Sequence, residues 1–361
     1  MNIGRFQCSM LDCIRSTEKA AADIVEHREE NSRDLMAILR KRDTPLSSIT
    51  FVGSGSSSTS AITARSYVEK VSGLHTELIY PNDFIYNTFV YDPDSLYVFI
   101  SQTGTSIVTS QALEMIQEKG YDVLVISESR KTPLSLKAGN VMIMDCGIEE
   151  YPMRTVGYSA TVMSCMILGL QIGLYYSHLS QGEYDTYIDR MRKIASRQSD
   201  VINKTLDWLE LSRRKMLRSD LIVFTGADNL YGVSLEGAMK VWETLQTASV
   251  GYELEEGMHG PNYGYNFRHC VIVLDNGGRE KDKARALARY MKEVWGNGFL
   301  IGPDPIDKED LELPIDDTDT CCIDFATVVQ TIAYKTAEYQ GRDLYRHHDN
   351  SRMESYFKTH S

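Results

Sequence analysis

At 361 residues, 42% apolar and 24% charged, the chain has the length of about two domains and the make-up of a globular protein. Its formal net charge of -12 argues against a nucleic-acid or anionic-membrane partner, because both need a positive surface. An anionic metabolite stays open, since backbone N–H groups and hydroxyls bind phosphate without net positive charge.

The N-terminal stretch holds Arg15, Glu18, Lys19 and Asp23 with no apolar run, so no signal peptide is expected. Residues 7–42 alternate charged and apolar groups at helical spacing and end at Asp43-Thr44-Pro45, which predicts a helix pair packed on the core or on a second subunit. Residues 48–52 form a short apolar strand that runs into Gly53-Ser54-Gly55-Ser56-Ser57-Ser58 and then a helix over 61–71. Strands follow at 76–80, 95–100, 122–126 and 141–144. The strand 95–100 ends in Ser101-Gln102-Thr103-Gly104-Thr105-Ser106 ahead of a helix over 108–119. Residues 159–176 approach membrane-spanning length, but Thr161, Ser164 and Gln171 interrupt the run, as in a helix buried on all sides.

A charged helical connector covers 183–218, and then the pattern restarts about 170 residues after the first copy. A strand over 221–224 enters Thr225-Gly226-Ala227-Asp228, and one over 270–274 enters Asn276-Gly277-Gly278 and a helix over 282–295. Further strands are expected at 299–301 and 320–323, with a closing helix at 325–340. Strands alternating with helices of this length mean parallel sheets covered on both faces. The expected units are a helical segment (1–45), a first α/β domain (46–180), the connector (181–218), a second α/β domain (219–340) and a tail (341–361) that can fold over the site.

The two copies differ in chemistry. Leu235, Met239, Val241, Trp242 and Leu245 have helical spacing, which sets Glu236, Lys240 and Glu243 on one face at i, i+4 and i+7. Gly257, Gly260 and Pro261 then break the chain into a loop around His259, sixteen residues after Glu243. This is an acid/base set: Glu243, tuned by burial beside Trp242, suits proton transfer next to a carbonyl, and His259 exchanges a proton near neutral pH. On spacing alone, Glu236–Lys240 also fits a surface ion pair, and a loop histidine fits a capping role. Only the first copy has hydroxyl-rich turns between strand and helix, where helix N-termini offer N–H groups to an anion. Gly55, Ser56, Ser57, Ser101, Gln102, Thr103 and Ser106 form the candidate phosphate cradle, with helix capping as the plain alternative. Neither turn has dinucleotide G-x-G-x-x-G spacing or the Gly-Lys-Ser/Thr of a nucleotide loop.

Ser101-Gln102-Thr103-Gly104-Thr105-Ser106 resembles the Ser-Gln-Ser-Gly-x-Thr turn of sugar isomerase (SIS) domains, and Gly55-Ser56-Ser57 resembles their earlier phosphate turn. Leu235-Glu236-Gly237-Ala238-Met239-Lys240 and Met258-His259-Gly260-Pro261 are similar to motifs in the isomerase half of glucosamine-6-phosphate synthase, with the same step from Glu to His. The resemblance runs from about Ser48 to Gly341 and implies two tandem three-layer α/β/α SIS domains, each with a five-stranded parallel sheet. It also implies that Ser57, Ser101, Gln102, Thr103 and Ser106 grip a sugar 6-phosphate and that Glu243 shuttles a proton between the first two sugar carbons. Glu236 and Lys240 would sit beside Glu243. His259 would open the sugar ring in the neighbouring subunit of a homodimer.

The chain departs from that pattern in several places. No glutaminase domain or position-two cysteine is expected, Thr105 replaces a glutamate, and a gapless count puts Arg352 where the synthase has its near-terminal lysine. His347 and His348 beside Asp349 are not expected to bind metal, because adjacent histidines diverge on most backbones. The expectation is therefore an enzyme without metal or organic cofactor that removes nitrogen from a phosphorylated amino sugar or ketosamine. Aldose–ketose isomerisation and ligand sensing are the alternatives. Seven cysteines without C-x-x-C spacing fit a reducing, cytoplasmic compartment.

Overall fold

The structure is a computed structural model that describes residues 5–346 and 351–361. Among the described residues ten strands form two all-parallel sheets of five. The first holds β1 (Ser48–Val52), β2 (His75–Ile79), β3 (Ser95–Ile100), β4 (Val123–Ser127) and β5 (Val141–Ile143) in the order β2-β1-β3-β4-β5. The second holds β6 (Leu221–Gly226), β7 (Ala248–Glu253), β8 (His269–Leu274), β9 (Gly298–Gly302) and β10 (Leu311–Glu312) in the order β10-β9-β8-β6-β7. In each sheet the first strand lies between its two successors, so chain direction across the sheet reverses there. That reversal opens a crevice at the carboxyl ends of the strands.

Two strand expectations need correcting. Residues 320–323 are not a strand: Cys321 caps the helix Cys322–Tyr339, and this apolar run is buried because it begins a core helix. The sequence reading also lacks two strands of this sheet, the two-residue β10 and β7, the latter in a stretch that reads from sequence as a polar-aromatic turn. β7 is a partly exposed edge strand without the apolar run that marks β1 or β3. The expected N-terminal helix pair is four short helices, Met10–Arg15, Thr17–Glu26, Arg28–Asn31 and Arg33–Lys41; the apolar faces of the first, second and fourth join the main core. The connector is two helices, Gln181–Ala195 and Gln198–Leu217.

The helix Val156–Tyr175 has the length and apolarity to cross a membrane, yet its apolar window is wholly inside the protein. It packs against the helix Ser56–Ser72. That helix in turn packs on Leu230–Thr244 of the second unit, and one apolar core runs through both. The approach is close: a Cβ on Gly232 would lie 2.1 Å from Thr63 Oγ1. This crossing brings the hydroxyl turns of one unit to the acid/base helix of the other.

Candidate active site

The two hydroxyl-rich turns lie side by side because β1 and β3 are hydrogen-bonded neighbours. Gly104 takes φ +66°, and a Cβ there would come within 2.6 Å of Thr132. The turn therefore needs glycine on both conformational and steric grounds. Among the described residues, the backbone N–H groups of Gln102, Thr103, Gly104, Thr105 and Ser106 find no acceptor. Five successive unsatisfied donors leading into the helix Ile107–Glu118 make an anion-binding concavity. Short hydroxyls surround it, with Thr103 Oγ1 2.9 Å from Thr105 Oγ1 and Ser106 Oγ 2.9 Å from Thr109 Oγ1.

A cavity of about 820 Å³ opens over both turns. Gly55, Ser56, Ser57, Ser101, Gln102, Thr103 and Ser106 all line it, together with Glu243 and Met239 from the helix Leu230–Thr244. The structure thus brings the cradle and one member of the acid/base set to a single space. Glu236 and Lys240 stand behind that wall, both at 0% exposure, so they are not the surface pair that their spacing also allows. Lys240 Nζ lies 2.6 Å from Glu243 Oε2, 3.3 Å from Ser56 Oγ and 3.4 Å from Glu236 Oε1. Thr59 Oγ1 donates to Glu236 Oε2 at 3.0 Å. Burial opposes the Lys240 charge, but the carboxylates of Glu236 and Glu243 outweigh it and hold the ammonium above the ordinary lysine range. Burial pushes the Glu236 carboxyl up against the pull of Lys240. The cluster presents Glu243 to the cavity with a fixed positive charge behind it. Trp242 does not bury Glu243 as the sequence suggests. It is 54% exposed and donates its indole N–H to the Ser249 carbonyl, leaving Lys240 as the group that faces the carboxylate.

His259 is not on the wall of this cavity in its own chain. It follows the turn Glu256–Met258, is exposed, and places Nδ1 2.9 Å from the Glu255 carbonyl. That carbonyl and then the Glu255 carboxylate raise its pKa above 6.5. Arg352 is exposed on Ser351–Glu354 and does not line the cavity, and His347, His348 and Asp349 lie outside the described residues.

Several wall residues carry no motif and are missed from sequence. Thr359 and His360 reach the cavity because the chain end pairs with the phosphate turn: Ile107 N–H donates to the Thr359 carbonyl at 3.1 Å and Ser361 N–H to the Thr105 carbonyl at 2.9 Å. Arg154 also lines the cavity, carried by a loop that the buried carboxylate of Glu149 braces. Glu149 accepts from Thr155 N at 2.7 Å, Thr155 Oγ1 at 2.8 Å, Gly157 N at 3.1 Å and Gln102 Nε2 at 3.3 Å. Among the described residues no group of three His, Cys, Asp or Glu side chains is arranged to hold a metal ion.

Residues 45–171 match the family model of the SIS domain. The first unit is a SIS domain. The second repeats the same sheet arrangement, and the whole chain has the fold of two tandem SIS α/β domains. A glutamine--fructose-6-phosphate aminotransferase (isomerizing) of Haemophilus ducreyi is 22% identical over 308 residues, covering 82% of this chain and 50% of that protein. The chain spans about half the length of the curated relatives it matches. Among solved structures, a proposed phosphosugar isomerase from Clostridium difficile superposes with a TM-score of 0.88 at 24% identity, covering 98% of this chain and 100% of the other. A glucosamine-6-phosphate deaminase from Thermotoga maritima gives 0.70 at 18% identity, covering 91% and 96%. These likenesses carry the double-SIS fold.

Proposed function

We propose that this double-SIS chain is an enzyme that removes nitrogen from an amino sugar or ketosamine 6-phosphate. The observation that carries the reading is that Glu243 shares one cavity with the run of unsatisfied N–H groups at Gln102–Ser106. The phosphate rests on that turn, and the open sugar chain extends toward Glu243. Glu243 takes a proton from one of the first two sugar carbons and returns it to the other. The nitrogen-bearing carbon thereby becomes an imine, which one water molecule hydrolyses to a carbonyl and a free amine. Lys240, locked by its neighbours, fixes the Glu243 carboxylate in position. His259 opens the sugar ring from the neighbouring protomer of a homodimer, which accounts for its exposure in a single chain. The likeness to the Thermotoga glucosamine-6-phosphate deaminase supports nitrogen release as the outcome.

Glucosamine 6-phosphate and fructoselysine 6-phosphate, assayed for released ammonia or lysine, test the reading. Glu243→Gln lowers kcat by roughly 10²–10⁴-fold. A wild-type protein that binds these compounds and turns over none of them overturns it. Aldose–ketose interconversion without nitrogen release assigns an isomerase instead.

A further inference from the structure

We infer that Arg154 is a specificity-determining residue that receives the carboxylate of an amino acid attached to the sugar nitrogen. Phosphorylated sugar–amino acid adducts are then the preferred substrates over free amino sugar phosphates. The inference rests on the reading above and narrows its substrate class.

Arg154 lines the cavity, and its Nη1 donates to two backbone carbonyls, Glu149 at 2.7 Å and Tyr151 at 3.4 Å. Both contacts use the same nitrogen. The edge formed by Nε and Nη2, the donor pair that matches a carboxylate in a bidentate fork, has no partner among the described residues. No carboxylate oxygen lies within 4.0 Å of the guanidinium among those residues. Arg42, by contrast, is paired with Asp94 and Asp122, and Arg197 with Asp316 and Asp324. A half-buried, preoriented and unpaired guanidinium on a cavity wall is set for a ligand anion.

That anion is distinct from the phosphate, whose cradle is built from N–H groups and hydroxyls. The loop bearing Arg154 reaches from the phosphate turn to the acid/base cluster. At one end Glu149 holds Gln102, and at the other Tyr151 lies close enough to Glu243 for the carboxylate, after burial and Cys13, to help keep its phenol protonated. Arg154 stands on the loop that spans the two, on the same cavity wall as both the cradle and Glu243. The volume of about 820 Å³ is in the upper part of the roughly 300–1,000 Å³ range of small-molecule sites and leaves room for an adduct longer than a hexose phosphate.

The test compares fructoselysine 6-phosphate with the matching adduct of 1,5-diaminopentane, which lacks only the carboxylate. Wild-type protein favours the carboxylated adduct in kcat/KM, and in Arg154→Met that preference falls by about tenfold, chiefly through KM. Arg154→Lys keeps a positive charge and a donor for the loop carbonyls but lacks the fork, so it shows the same loss of preference with an unchanged melting temperature. An unchanged ratio between the two adducts in either variant overturns the inference, as does equal weakening of both together with weaker binding of inorganic phosphate. Calorimetric binding of the same pair to wild-type, Arg154→Met and Arg154→Lys proteins reads Arg154 even where no turnover occurs. Failure of catalysis and failure of carboxylate recognition are therefore separate results.

Discussion

Lys240 is fully buried, and its ammonium contacts Glu243, the Ser56 hydroxyl and Glu236. Removing one partner of such a group leaves buried charge uncompensated, which typically costs about 3–5 kcal/mol. Lys240→Met is expected to lose stability on that scale in urea melts, and pairing it with Glu236→Gln recovers part of the loss because the second buried charge goes too. Glu243 is 32% exposed at the side chain, but it is also the carboxylate 2.6 Å from the buried Lys240, so Glu243→Gln is expected to lower the melting transition too, by less than Lys240→Met because Glu236 still faces the ammonium. His259 responds to pH rather than to packing. The Glu255 carbonyl and carboxylate raise its folded pKa above the 6.5 of an unfolded chain. Its contribution to stability is thus complete below 6.5 and is lost as pH rises through the folded value. A ring-proton NMR titration finds the midpoint above 6.5, and Glu255→Gln moves it only part of the way down, because the backbone contact remains.

The phosphate turn owes its shape to glycine, and Gly55 and Gly104 separate the two costs involved. Both have positive φ, but a Cβ on Gly55 meets nothing within 4 Å, whereas one on Gly104 strikes Thr132. Gly55→Ala is expected to lose only the backbone strain of a non-glycine residue at φ +60° and ψ −133°, about 1–3 kcal/mol. Gly104→Ala loses more than that and also weakens inorganic phosphate binding, because relieving the clash moves the N–H groups of 102–106; thermal melts and calorimetry read the two effects. Such strand–turn–helix units were legible in the sequence because an apolar run, a glycine and short hydroxyls mark them locally. β7 was not: Gly251 interrupts it so that it can lie against the Ser234 carbonyl, 2.5 Å from where a Cβ would stand, and its edge position needs no continuous apolar run. Residues 320–323 misled in the opposite direction, since burial of a helix start and burial of a strand select the same side chains. At the site, Glu243 and the cradle residues stood out by spacing. Arg154 and His360 did not, because loop packing braced by the buried Glu149 and pairing of the chain end, not periodicity, bring them to the wall.

In the whole molecule, the crossing of Ser56–Ser72 on Leu230–Thr244 assembles most of the proposed machinery within one chain but leaves His259 outside. Tyr263, in the turn that follows His259, is 91% exposed, Phe267 is 66% exposed, and Trp242, bonded to Ser249 at the start of the edge strand β7, is 54% exposed. Exposed aromatics next to an uncovered strand edge are features that association hides. In a twofold dimer built on this face, each protomer lends its His259 to the other's Glu243, so every site draws on two chains. Complementation tests that arrangement. Glu243→Gln and His259→Ala are each inactive alone, but a heterodimer of the two contains one site with both native groups and one with neither. Co-expressed at equal levels, random pairing makes about half the dimers mixed, so activity returns to roughly a quarter of wild type. If His259 instead serves its own chain, every site in every dimer lacks one group and no activity returns.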